Sequence, residues 1–168
     1  MAKITPKEYQ QAVKESQEAG YIKIRARVVG CNGVNSEGLW ATPIAPNQAR
    51  IGNIPSFAPE YSLGDIVEYD SFGYITKIVT KVANTRHVAY DAGDTIDKTK
   101  ETYRKLVASF KEHKIECEGA LAGIMAIAVP LDIKEKALGK ICKTLKVHLY
   151  KDTQTEGRAA KRKQKKGK

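Results

Sequence analysis

The side chains best suited to do chemistry in this chain are cations, and they fall in two places. Residues 21–29 read YIKIRARVV, so Lys23, Arg25 and Arg27 alternate with Ile22, Ile24, Ala26 and Val28. In an extended strand that spacing puts all three cations on one face, where they can follow a phosphate backbone, with Tyr21 available for stacking at the end of the row. The competing reading is a solvated strand face whose charges guard an edge against aggregation. The second place is residues 158–168, RAAKRKQKKGK, where Arg158, Lys161, Arg162, Lys163, Lys165, Lys166 and Lys168 stand without any acidic side chain. They supply seven of the ten net positive charges and leave residues 1–157 at only +3. A run of like charges with no branched apolar or aromatic residue cannot bury enough surface to offset the entropy of ordering, so it is expected to be a solvated arm whose natural partner is a polyanion. In a eukaryote the same segment would also pass as a nuclear import signal.

Reactive chemistry finds less support. Cys31, Cys117 and Cys142 are odd in number and widely spaced, which argues against a disulfide framework or a CxxC site and for a reducing compartment. His87, His113 and His148 have no Cys or His at ligand spacing, so no metal is expected. Asp91, Asp94 and Asp97 surround Gly93, but the rest of a calcium loop is missing, and capping of a following helix is the better reading. Cys31 or Ser56 beside His87 would be needed for nucleophilic catalysis, and nothing in their spacing brings them together. The Gly30-Cys31-Asn32-Gly33 stretch lacks the lysine of a phosphate loop. No cofactor is expected, and the chain reads as a non-enzyme.

The elements that position these residues follow from periodicity. Thr5-Pro6-Lys7-Glu8 joins a cap, a first-turn proline and a capping-box glutamate, and predicts a helix over 6–19, within an N-terminal unit of residues 1–20. Residues 21–83 read as a small antiparallel β part, barrel-like in its run of short strands: 21–29, 39–44, 49–54, an entry at Gly64-Asp65, and 74–82 after an Asp70-Ser71-Phe72-Gly73 hairpin. Residues 84–151 change period. A strand near 87–91 precedes a helix at 97–113 with Tyr103, Leu106, Val107 and Phe110 inward. A nearly unbroken apolar run, 120–129, has the composition of a strand buried on both faces, and one strand or two are open over 115–129. Asp132 then caps a second helix whose expected buried stripe is Ile133, Ala137, Ile141 and Leu145, and 147–150 closes as a strand. The fold class is α+β: an antiparallel half followed by a ferredoxin-like sheet with two helices, ending in the basic segment 152–168. No window approaches the roughly 18 apolar residues of a membrane span, and no signal peptide opens the chain, so a cytoplasmic protein is expected, nuclear if eukaryotic.

Two segments carry a resemblance. Glu37-Gly38-Leu39-Trp40-Ala41-Thr42-Pro43-Ile44, and Asn53-Ile54-Pro55-Ser56-Phe57-Ala58 followed by Leu63-Gly64-Asp65-Ile66-Val67-Glu68, resemble a bacterial family known as a domain of unknown function, number 4265. The likeness spans roughly residues 21–150. It departs at Val82-Ala83-Asn84-Thr85-Arg86-His87, where the family tends to have Ser-Gly and a Thr-x-Arg pattern. It implies a two-part α+β fold and no catalytic residue. Within it, Trp40 reads first as a core anchor, with base stacking as the alternative. Asn53 reads as part of a turn fixed by Pro55, and Asp65 as a cap on local amides. Trp40, Asn53, Phe57 and Asp65 are also the candidates for contact with a protein partner. The leading expectation is sequence-nonspecific binding of nucleic acid, RNA or DNA, through residues 158–168 and the 23–27 stripe. The alternative is a protein-interaction module, such as an inhibitor, an immunity-type protein or an assembly component.

Overall fold

A computed structural model describes residues 20–29 and 33–150; the helix expected at 6–19, Cys31 and the basic segment 152–168 lie outside them. Eleven elements are described: β1 (Ile22–Arg27), β2 (Ser36–Ala45), β3 (Gln48–Ile51), β4 (Ile66–Tyr69), β5 (Ile75–Thr80), β6 (Ala83–Ala89), α1 (Ile96–Glu112), β7 (Glu116–Leu121), β8 (Ile124–Pro130), α2 (Glu135–Thr144) and β9 (His148–Leu149). They form two mostly antiparallel sheets and two helices, as an α+β chain should.

The first sheet is a meander in chain order, β1 to β5. Period-two patterning fixes its inner face: Ile22, Ile24, Ala26, Leu39, Ala41, Ala49, Ile51 and Val67 are fully or almost fully buried. The β2–β3 connection turns at Asn47, whose φ of 58° is a left-handed conformation that asparagine tolerates. At the β4–β5 hairpin, Asp70 Oδ1 accepts from the amides of Phe72 and Tyr74, both at 2.9 Å. That hairpin reaches back to the first strand: the Arg25 amide donates to the Gly73 carbonyl at 2.8 Å, beside an isolated parallel bridge between Arg25 and Tyr74.

The second sheet runs in the order β7-β8-β6-β9, with every neighbouring pair antiparallel. Its helix-side face packs Val88, Met125, Ile127 and Val129 against Leu106 and Phe110 of α1 and Leu138 and Cys142 of α2. The opposite face is floored by Ala83, Ala126 and Ala128, which contact Ile54 and Leu63 from the long β3–β4 connection. Small side chains there let a loop of the first sheet lie close against the second.

One question left open by the sequence is settled and one expectation is corrected. The apolar run 120–129 is not one strand: Ala122-Gly123 is a hairpin turn, Gly123 takes φ 77°, and Leu121 ends β7 exposed while 124–130 form the buried strand β8. Composition alone concealed the turn, because alanine and glycine inside an apolar run carry no polar marker. In α2 the N-cap is Lys134 and no side chain caps it, so Asp132 does not serve. The buried residues are Leu138 and Cys142, flanked by Ile133, Ile141 and Leu145, while Ala137 is exposed. Turning the helix to bury the larger leucine removes more apolar area from water than burying an alanine would.

Candidate nucleic-acid interface

The pleat that buries Ile22, Ile24 and Ala26 sends Tyr21, Lys23, Arg25 and Arg27 to the outer face of β1. The register sets Lys23 directly across from Trp40 and Arg25 from Gly38. Lys23 Nζ consequently lies 5.0 Å from the centroid of the Trp40 ring, and Tyr21 meets that ring edge-on at 5.2 Å and 87°. Farther along, the guanidinium carbons of Arg25 and Arg27 stand 5.8 and 4.7 Å from the Tyr74 ring centroid. Each such cation–π contact is worth about 0.5–1 kcal/mol at an exposed site. The ion pairs among the described residues lie elsewhere, at Lys77–Glu68, Lys81–Asp65, Arg86–Glu135, Lys98–Asp94 and Lys105–Glu101. The three β1 cations therefore have aromatic neighbours and no described carboxylate in an ion pair.

Trp40 is not the core anchor it was expected to be. It is 48% exposed and Tyr21 is 49% exposed, because Leu39 and Ala41 take the inward positions on β2. A single tryptophan is usually buried for its area, and only the strand phase could have overruled that prior. An open cleft of about 430 Å³ lies beside it, lined by Tyr21, Trp40, Ala41, Thr42 and Gly52. Two hydrogen bonds tie the backbone at its floor: the Gly52 amide donates to the Trp40 carbonyl at 2.7 Å, and the Trp40 amide donates to Asn53 Oδ1 at 2.8 Å.

The other partner-contact candidates divide. Phe57 is 43% exposed. Asn53 is half-buried and its side-chain oxygen is committed to Trp40. Asp65 is corrected outright as a partner residue, since it is fully buried. Its carboxylate accepts from the Ser62 and Val82 amides, both at 2.9 Å, and from Lys81 Nζ at 2.8 Å. The expected local cap is there, and the bonds to Lys81 and Val82 extend it to the far end of the sheet. Glu37 was not singled out from the sequence, yet its carboxylate accepts three consecutive amides, from Ser56, Phe57 and Ala58, at 2.7, 2.8 and 3.0 Å. Short polar anchors of this kind, separated by 19 to 21 residues, leave no local sequence signal.

The seam between the sheets is where the remaining polar groups collect. The Ile54 amide donates to Glu118 Oε2 at 2.8 Å, and the Thr85 hydroxyl donates to Ser62 Oγ at 3.0 Å. His87 lies on the same face of β6 as Thr85, and its Nε2 is buried without a hydrogen-bond partner. Burial pushes its pKa below the ordinary value, against smaller opposing effects of the Ser56 backbone and the Glu37 carboxylate. In the folded state the ring therefore stays neutral to lower pH than in the unfolded chain. Below about pH 6.5 the unfolded state binds more protons, and stability falls with acidification until the folded pKa is reached. Replacing His87 with glutamine should flatten that part of a stability-against-pH curve measured by chemical denaturation, and an unaltered curve would show that the ring is not desolvated.

Nucleophilic and metal chemistry gain little. Burial and the neighbouring Glu116 push the Cys117 thiol up to about 12, so it stays protonated near neutral pH. Cys142 is buried and likewise raised. Asp91 caps the Gly93 amide, Thr95 is the N-cap of α1, and Asp94 pairs with Lys98. Among the described residues no three His, Cys, Asp or Glu side chains gather as metal ligands, and no helix is long and apolar enough to cross a membrane.

These features define a two-sheet α+β protein with an exposed basic and aromatic face on its first sheet. The chain belongs to the family described as a domain of unknown function, DUF4265, whose model matches residues 37–150. Trp40, Asn53, Phe57 and Asp65 fall inside that match, whereas Lys23, Arg25 and Arg27 precede it. No curated protein matches the chain. It is similar in fold to a crystal structure of a hypothetical protein from Neisseria gonorrhoeae, at 17% identity and a TM-score of 0.53, over 77% of this chain and 93% of that one.

Proposed function

We propose that this is a non-catalytic protein that binds RNA or DNA without strong sequence preference, through the β1 cations and the lysine-rich segment 158–168. The observation that supports it best is the outward row of exposed Lys23, half-buried Arg25 and exposed Arg27, interleaved with Trp40 and Tyr74 and outside the ion pairs of the described residues. Edge protection is the weaker account of the same row: β1 pairs with β2 on one side, and its other side already donates from Arg25 to Gly73. Binding would proceed by neutralising phosphates and releasing their counterions, in the cytoplasm or, in a eukaryote, the nucleus. On this reading the first sheet, with β5 returning to β1, is a barrel-like platform, and the β6-α1-β7-β8-α2-β9 order is ferredoxin-like.

The test is to convert Lys23, Arg25 and Arg27 together to glutamine and to measure affinity for a duplex across a salt series. The slope of log affinity against log salt should fall by about 2–3 units, at roughly 0.9 for each phosphate no longer neutralised. A folded triple variant with the wild-type slope would sink the role of β1. The second reading is a protein partner seated on Trp40 and Phe57, favoured by their exposure. A partner retained after removal of residues 158–168 and of bound nucleic acid would favour it.

A further inference from the structure

We propose that the cleft between Tyr21 and Trp40 is a base-stacking subsite that selects single-stranded nucleic acid over duplex. The proposal rests on the phosphate-binding reading of β1 and adds to it the kind of nucleic acid bound.

Four features of the outer face converge on it. Two large aromatic rings, held edge-to-face, each leave about half their surface in water. Gly52, whose amide bonds the Trp40 carbonyl, presents no side chain to the cleft of about 430 Å³ that it lines together with Tyr21, Trp40, Ala41 and Thr42. The backbone beneath is pinned on both sides of Trp40, so a base would meet a preorganised surface and little ordering entropy would be lost on contact. Finally, the cations that continue from the cleft along β1 recur every second residue, about 7 Å apart, and form a row that tracks a strand leaving the stacked base.

Magnitudes decide whether Lys23 obstructs the site. Its contact with the Trp40 ring is worth about 0.5–1 kcal/mol, whereas stacking of a base on an aromatic side chain is worth about 1–3 kcal/mol. A base therefore displaces the ammonium, which is free to turn to the adjacent phosphate. Bases within a duplex are already stacked on each other and do not present a free face to Trp40.

Trp40 is the only tryptophan in the chain, so its fluorescence reports on the cleft directly. The experiment titrates the full-length protein with a short single-stranded oligonucleotide of mixed sequence, and separately with the same sequence as duplex. Quenching of Trp40 by the single strand, with weaker quenching by duplex, is expected. Trp40→Ala should weaken single-strand binding by about 5- to 150-fold and duplex binding by much less. Gly52→Val supplies a second variant that keeps the tryptophan: an added Cβ meets the Trp40 carbonyl oxygen at 3.4 Å, an ordinary contact, and the branches intrude on the cleft. It should reduce quenching and single-strand affinity together. If both variants bind single strands as wild type does while the β1 triple variant binds poorly, stacking is overturned and the phosphate reading survives. If the triple variant is also unaffected, both fall.

Discussion

Replacing Asp65 with alanine is expected to destabilise the protein by roughly 3 kcal/mol. The carboxylate is fully buried and serves as acceptor for two backbone amides and the Lys81 ammonium, which also donates to the Glu60 carbonyl at 2.7 Å. Removing one partner of a buried ion pair costs about 3–5 kcal/mol, because the other charge and the amides are left without a counterpart. The low end applies here: Lys81 is 29% exposed and can turn to water, whereas the fully buried Ser62 cannot. For a chain of this size the loss corresponds to a fall in Tm of about 6–12 °C. Asparagine, which keeps one oxygen acceptor, should lose less. A thermal melt of Asp65→Ala that coincides with wild type would refute this account. Should the variant instead lose a protein partner while keeping its Tm, the residue would belong on a surface after all.

Removing residues 158–168 should produce the largest change in binding. The segment carries seven cations and no acid, so full engagement with duplex would remove about 6 units of salt slope, at roughly 0.9 per phosphate. Phosphate neutralisation on that scale weakens binding on the order of 10³–10⁴-fold between low and physiological salt. The truncated protein should therefore bind more weakly at low salt and show a much shallower salt dependence, retaining about 2–3 units from β1. An unchanged affinity and slope would remove the segment from the interface. The simplest first measurement is the ultraviolet absorbance ratio of the purified protein before and after truncation, which reveals co-purifying nucleic acid.

The two mutations probe parts of the molecule that were unequally legible. The outward row of β1 could be read directly, since alternation of isoleucine with cations has one meaning in a half-buried strand. The helix at 97–113 was equally plain, and α1 buries Leu106 and Phe110 with Tyr103 and Val107 alongside. Trp40 was not legible, because residue type argued for burial while its orientation depended on the phase of β2, which is set by packing against β1. The reach of Asp65 to Lys81 and Val82, and of Glu37 to residues 56–58, depends on the chain returning to itself and has no local trace. The sheet order of β6 to β9 is non-local in the same way, and only its element types were available from periodicity. The family match begins at Glu37, so the face proposed to bind nucleic acid combines a strand that precedes the match with a tryptophan inside it.

The alanine floor of Ala83, Ala126 and Ala128 has a consequence for how this chain can be cut. Ile54 and Leu63 need that floor to leave water, Ser62 needs Thr85, and the Ile54 amide needs Glu118. A fragment ending near residue 82 would keep all five strands of the first sheet but expose the apolar underside of its longest loop, and the complementary fragment would expose the floor. The halves are thus not exchangeable modules: expressed separately they should aggregate, and mixed they should recover each other by rebuilding the seam. A leucine at Ala126 would do from within what the cut does from outside, wedging the loop away while leaving every strand pairing intact.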